Sequence, residues 1–182
     1  ISTTGVTKLD QQEFDVQADD ILHRLSISEK MRLLAGQSMF TTRPIKRLGL
    51  KKIKFTDGPF GVGAHSSWLK RTTYFPAGIC LGATWDTSLA KVFGKALAKE
   101  TILSGNHVIL APAINIIRTP LNGRNFEYLT EDPYLNSKMT VPIIKGIQNE
   151  GVSACAKHFV ANNQEKNKTK LSVEVSERAL QE

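Results

Sequence analysis

Several absences narrow the field before any motif is read. No apolar run in the 182 residues approaches the roughly 20 that a membrane-spanning helix needs. No charged-then-apolar leader follows Ile1, so the start reads as a processed or cut end, and the sequence leaves the compartment open between cytoplasmic and secreted. Cysteine is scarce: Cys80 and Cys155 are the two present, and their number and spacing suggest neither a disulfide framework nor a metal site. Each lies in an apolar run and reads as a buried free thiol. No cofactor is implied.

Acidic residues are the minority charge, and the balance of +7 raises nucleic acid as a partner. The basic residues gather at Arg43, Lys46, Arg47, Lys51, Lys52 and Lys54, and again at Lys166, Lys168 and Lys170. A phosphate-tracking surface looks like this and binds in a salt-dependent way. Aromatics make up 7% of the chain, none interleaved with these lysines, and no nucleic-acid module pattern is visible. A solvated basic face is the commoner explanation.

A hydrophobic content of 41% with 23% charged residues describes a globular chain, long enough for one domain with a substantial core. Residues 1–24 read as a lead-in and first helix, with Ile21, Leu22 and Leu25 at helical spacing. Ser26-Ile27-Ser28-Glu29 has the form of a capping box and opens a short helix through Met31 to Gly36. Lys51 to Thr56 alternates lysines with Ile53 and Phe55, as a strand does. Thr84-Trp85-Asp86 starts an amphipathic helix through Leu89, Val92, Phe93 and Leu97 that ends near Gly105. His107 to Leu110 is a continuous apolar run suited to a strand buried on both faces. Asp132-Pro133 starts a further helix, with Pro142 inside it, that closes at Gly151. A third strand runs from Val152 to about Ala156, and Ser176 caps a last helix. Strand, helix, strand in this order is the βαβ signature of a parallel α/β sheet.

In such folds the chemistry sits at the carboxyl ends of the strands. Asp57 ends the first strand and enters Gly58-Pro59-Phe60-Gly61-Val62-Gly63, a turn that lets a ligand approach the backbone. Its carboxylate can accept two hydrogen bonds from adjacent hydroxyls, as in a sugar diol, or simply cap its own turn. Trp68 in the loop from Ala64 to Tyr74 is either a stacking platform or a loop anchor. Arg124, in Leu121 to Pro133, offers a planar fork for paired oxygens, with Glu127 as its expected partner. Ala156-Lys157-His158-Phe159 through Glu165 turns polar just after a strand. Lys157 and His158 can donate into one pocket if the backbone bends there; otherwise the segment is a solvated loop.

Asp57-Gly58-Pro59, Gly123 to Glu127, Glu131-Asp132-Pro133, Lys157-His158-Phe159 through Glu165, and Ser176-Glu177-Arg178 occur in series. In that order and at those intervals they resemble the amino-terminal barrel domain of glycoside hydrolase family 3 β-glucosidases, over 25–182. The resemblance implies a partial TIM-like (β/α) barrel, about the first three strands and their helices, which cannot close by itself and needs the remainder of the enzyme as partner. It implies a retaining exo-acting enzyme that removes terminal β-D-glucosyl or related residues. The positions matching Asp57, Arg124, Lys157 and His158 would hold sugar hydroxyls, and Lys168 stands where the family often has a sugar-contacting Arg. Gly63 also stands where Arg is common. A lysine keeps the charge but loses the planar fork, so both departures bear on sugar preference.

Retention needs two carboxyl groups roughly 5 Å apart. The family's nucleophile lies on a later strand, commonly in Ser-Asp-Trp, a tripeptide this sequence lacks, and its acid/base usually comes from a following domain. Glu127, Glu131 and Glu165 match other positions. The chain alone is therefore expected to be inactive, with no catalytic residue of its own. The family's β-N-acetylglucosaminidase branch fits less well, since Val160-Ala161-Asn162 stands where that branch has Pro-Gly after Lys-His-Phe. A non-catalytic carbohydrate-binding protein of the same fold is the alternative. The sequon Asn167-Lys168-Thr169 lies close to the proposed site, which argues against its use.

Overall fold

A computed structural model describes residues 11–63 and 71–181; Trp68 and the start of the lead-in lie outside the described residues. The chain forms two compact units, residues 1–53 and 54–182.

The first unit holds helices α1 (Gln11–Arg24) and α2 (Ile27–Leu33). Ser26 caps α2 as its sequence requires: its hydroxyl accepts from the Glu29 N–H and the Glu29 carboxylate accepts from the Ser26 N–H. Glu29 also takes the Arg47 guanidinium at 2.6 Å, and that hydrogen bond, with the one from Ser26, pulls its pKa down to about 2. A 3₁₀ turn at Lys46–Leu48 carries this arginine. Of the strand expected from Lys51 to Thr56, the end forms: pairing begins at Lys54, whose carbonyl accepts from the His107 and Val108 amides, and Lys51 to Ile53 stay outside the sheet. Ile53 exchanges its backbone bonds with Thr42 instead and is half exposed, so the spaced lysines border a solvated connection.

The second unit is a three-stranded parallel sheet in the order β1 (Phe55–Asp57), β2 (Val108–Leu110), β3 (Ser153–Ala154). Phe55, Thr56 and Asp57 pair with Val108, Ile109 and Leu110, and Val108 and Ile109 pair with Ser153 and Ala154. Helices α4 (Thr87–Leu103) and α5 (Pro133–Gln148) make the crossovers. Each begins where the sequence places it: Asp86 accepts from the Ser88 and Leu89 amides, and Asp132 from that of Tyr134, with Pro133 in the first turn. Ala90, Leu97 and Ala98 of α4 and Met139, Ile143 and Ile147 of α5 are buried with Ile109, Ala111, Leu129 and Val152 in one core. Gly94 and Gly146 let the two helices touch backbone to backbone, since a Cβ at Gly94 would run into the Ile143 carbonyl and one at Gly146 into that of Lys91. α6 (Glu177–Gln181) is short, with Ser176 accepting from the Ala179 amide.

Two further elements depart from expectation. A five-residue helix, α3 (Gly78–Gly82), packs on the segment from Glu127 to Leu129; its glycines leave no hydrophobic period in the sequence to announce it. Neither thiol is buried: Cys80 is exposed on α3 and Cys155 is half-buried just past β3. An apolar stretch of chain does not put every member inside when the element is a short helix or a strand tip.

Candidate functional site

The strand tips bring four separate segments together. Asp57 ends β1, and the Gly63 amide donates back to its carbonyl at 2.9 Å, closing the turn around Gly58 to Val62. Lys157 follows β3 and is held by backbone on both sides: its N–H donates to Pro112 at 3.0 Å and its carbonyl accepts from Ile114 at 2.6 Å. Its partner in parallel pairing is Ala113. Arg124 precedes a 3₁₀ turn at Asn125–Glu127, which Asn125 fastens by donating to the Thr119 carbonyl at 2.7 Å.

From these positions the charges alternate. Lys157 Nζ lies 3.2 Å from Asp57 Oδ1 and 3.5 Å from Glu127 Oε2. Arg124 Nη2 meets Glu127 Oε1 at 2.6 Å, and Arg124 Nε is 3.9 Å from Glu165 Oε1. Glu165 Oε2 accepts from Lys168 Nζ at 2.7 Å. The Lys157 and Glu127 side chains are only 13% and 6% exposed, so this pair interacts with little screening by water. Glu127 Oε2, Arg124 Nε and His158 Nδ1 are buried with no hydrogen-bond partner. Buried polar atoms seldom stay unpaired without a reason, and a ligand's hydroxyls are one.

A cavity of about 390 Å³ opens at this point, lined by Asp57, Arg124, Glu127 and Lys157 and by the apolar rim of Phe60, Tyr74 and Phe126. The ring of Phe60 meets Tyr74 and Phe126 edge-to-face at 4.8 and 5.1 Å. Of the residues singled out in the sequence, Asp57, Arg124 and Lys157 share this lining, and Gly63 borders it. His158 and Lys168 do not. Glu127, weighed in the sequence as the partner of Arg124 and set aside as a catalytic carboxylate, lines the cavity and grips Lys157 as well.

His158 sits behind Lys157 rather than beside it. Asn115 clamps its backbone, accepting from the N–H at 2.8 Å and donating to the carbonyl at 3.1 Å. Its ring meets that of Tyr128 edge-on at 6.3 Å. Burial, reinforced by the positive charge of Arg124 and Lys157, pushes its pKa down to about 4, so the imidazole is neutral at neutral pH. Tyr128 is fully buried, donates to the Asn162 carbonyl at 2.8 Å and accepts from its side-chain amide at 3.2 Å. Burial raises its pKa and keeps it a phenol. Sequence reading passed over Tyr128 and Asn162, because their meeting across 34 positions leaves no local pattern.

Comparison with known proteins agrees with this architecture. The model of the glycosyl hydrolase family 3 N terminal domain matches residues 47–182. A β-glucosidase of Bacteroides ovatus is 43% identical over 182 residues, covering 95% of this chain and 24% of that protein. A β-glucosidase of Rhizobium radiobacter is 45% identical over 166 residues, covering 90% and 20%. Among solved structures, β-glucosidase 3B from Thermotoga neapolitana in complex with glucose superposes with a TM-score of 0.74 at 41% identity, over 83% of this chain and 24% of that one. The Bifidobacterium adolescentis family 3 β-glucosidase gives a TM-score of 0.83 at 38% identity, over 88% and 23%. The chain thus spans about a fifth to a quarter of the length of the relatives it matches. Its parallel strands and crossover helices are part of a (β/α) barrel, and the chain belongs to glycosyl hydrolase family 3, within the N-terminal domain of that family.

Proposed function

We propose that this chain supplies the sugar-holding part of a retaining, exo-acting β-glucosidase that cleaves terminal β-D-glucosyl or related residues. The observation that carries the reading is the meeting of Asp57, Lys157, Glu127 and Arg124 at one cavity, with buried atoms of Glu127 and Arg124 that lack a hydrogen-bond partner. The names of the relatives, β-glucosidases, support it. Asp57 is the most exposed member, at 45%, and accepts from neighbouring hydroxyls. Lys157 and Arg124 donate to hydroxyl oxygens from fixed positions, since their carboxylate partners already hold them in place. Holding the ring in this way converts binding energy into orientation at the reacting carbon. His158, uncharged, lies outside the cavity lining, its backbone clamped by Asn115 and its ring against Tyr128.

Glu127 and Glu165 each lie within ion-pair reach of two cations, a setting that suits a positioning carboxylate better than a nucleophile. In this reading the nucleophile and the acid/base come from the remainder of the enzyme, and the chain alone binds sugar weakly and hydrolyses none.

The test is aryl β-glucoside hydrolysis by the complete enzyme, with Asp57→Asn and Lys157→Met beside it. The complete enzyme should turn over, and each variant should lose about 100-fold in kcat/KM; Asp57→Asn should keep its thermal midpoint, and Lys157→Met, which takes one cation from the buried Glu127, should lower it. Glucoside binding without turnover by the complete protein would instead identify a carbohydrate-binding protein of the same fold. Full activity in Asp57→Asn would remove the assignment of this cavity.

A further inference from the structure

Glu165 is the carboxylate whose place in the network the sugar contacts do not explain. Its Oε1 accepts from Asn162 Nδ2 at 3.1 Å and lies 3.9 Å from Arg124 Nε, while Oε2 accepts from Lys168 at 2.7 Å. The same Asn162 amide reaches the buried Tyr128 hydroxyl, so Glu165 is anchored to the core and not merely to solvent. Across the guanidinium, Glu127 holds Nη2. Arg124 Nε is buried without a hydrogen-bond partner, and Glu165 is the carboxylate beside it. Glu127 bonds the guanidinium at close range, while Glu165 faces its other side across 3.9 Å and acts on it by charge at ion-pair distance. Lys168 is 52% exposed, lies outside the cavity lining, and spends its ammonium on Glu165 three residues earlier.

We propose that Glu165 is a positioning residue that sets the guanidinium of Arg124 for the sugar, and that Lys168 acts through Glu165 and not on the sugar. This rests on the reading of Arg124 as a hydroxyl-binding group. It changes the part assigned to position 168: its side chain governs how firmly Glu165 is held, and thereby how sharply Arg124 recognises its hydroxyl. Asn162 belongs to the same support, because it ties Glu165 to Tyr128.

The test compares Arg124→Lys, Glu165→Gln and Lys168→Met in the complete enzyme, each assayed on an aryl β-glucoside and on its 2-, 3-, 4- and 6-deoxy analogues. Thermal midpoints are recorded for all. Arg124→Lys should erase the preference for one hydroxyl over its deoxy counterpart. Glu165→Gln should erase the preference for that same hydroxyl, lowering kcat/KM on the parent glucoside by about 10- to 100-fold, and Lys168→Met should do so more weakly. A uniform loss across the analogues in Glu165→Gln, or loss at a different hydroxyl in Lys168→Met, overturns the proposal; the second result would put Lys168 on the sugar. If Arg124→Lys itself shows no hydroxyl-specific loss, the reading of Arg124 fails first and is seen to fail separately. Should Glu165→Gln not fold, Lys168→Met carries the comparison, its side chain being half in solvent.

Discussion

The α4–α5 pair and the strand tips are held together by opposite means. Between the helices, backbone lies on backbone at Gly94 and Gly146, and Leu97, Ala98, Met139, Ile143 and Ile147 fill the remaining space. The seam is lined by apolar side chains and set by shape, and every ångström of approach is used by packing. At the strand tips the elements meet through Lys157, Glu127, Arg124, Glu165 and Lys168, with backbone clamps from Pro112 and Asn115. There, buried polar atoms are left without hydrogen-bond partners. The first region has nothing left to bind; the second keeps hydrogen-bonding capacity in hand. That difference separates scaffold from site more clearly than conspicuous residue types do.

The difference can be broken most forcefully at Gly94. Gly94→Ala puts a methyl into the Ile143 carbonyl, and because the obstacle is backbone, the helices must part. We expect a loss of about 3 kcal/mol, the upper part of the range for overpacking, read by chemical denaturation, with sugar affinity kept at a permissive temperature. A shift below about 1 kcal/mol would mean that the helices slide and that the glycines do not fix their spacing. Glu127→Gln cuts into the other region. It keeps the shape but removes the charge facing Arg124 and Lys157, and should cost about 2 kcal/mol of stability. Its larger effect should be on kcat/KM, and unchanged kinetics would show that Glu127 belongs to the scaffold. The mildest change is His158→Gln, read as stability against pH. The folded imidazole titrates near 4, below the ordinary value of about 6.5. The unfolded chain therefore binds the extra proton first, and the stability present above pH 6.5 is lost as the pH falls towards 4. The variant should flatten that part of the profile; an unaltered slope would place the imidazole in water.

Much of this was legible in the residues. Asp86, Ser26 and Asp132-Pro133 announce their helices because a cap is a local bargain between one side chain and the amides that follow it. The apolar run at Val108 to Leu110 forms the central strand because both its neighbours are strands. Lys51 to Ile53 misled because alternation marks a strand only when one face is covered, and Ile53 is not. The pairing of Lys157 with Asp57, 100 positions away, cannot be read from either segment alone; the series of motifs implied by resemblance only that both face the same sugar. The divergence of Lys157 from His158, and the attachment of Lys168 to Glu165, depend on how the chain turns after β3, and neighbouring residues do not fix that.

The ladder from Asp57 to Lys168 contains three carboxylates and three cations. It is electroneutral, although the chain as a whole is strongly basic. An uncharged polyol entering such a place exchanges water for fixed dipoles and strands no counter-ion. A uronic acid or a sulfated sugar would add a seventh charge with no opposite waiting for it, at the desolvation cost that a buried unpaired ion carries. On the proposed reading, a pocket backed by this ladder would discriminate by charge before it discriminates by stereochemistry, without one residue placed there to repel.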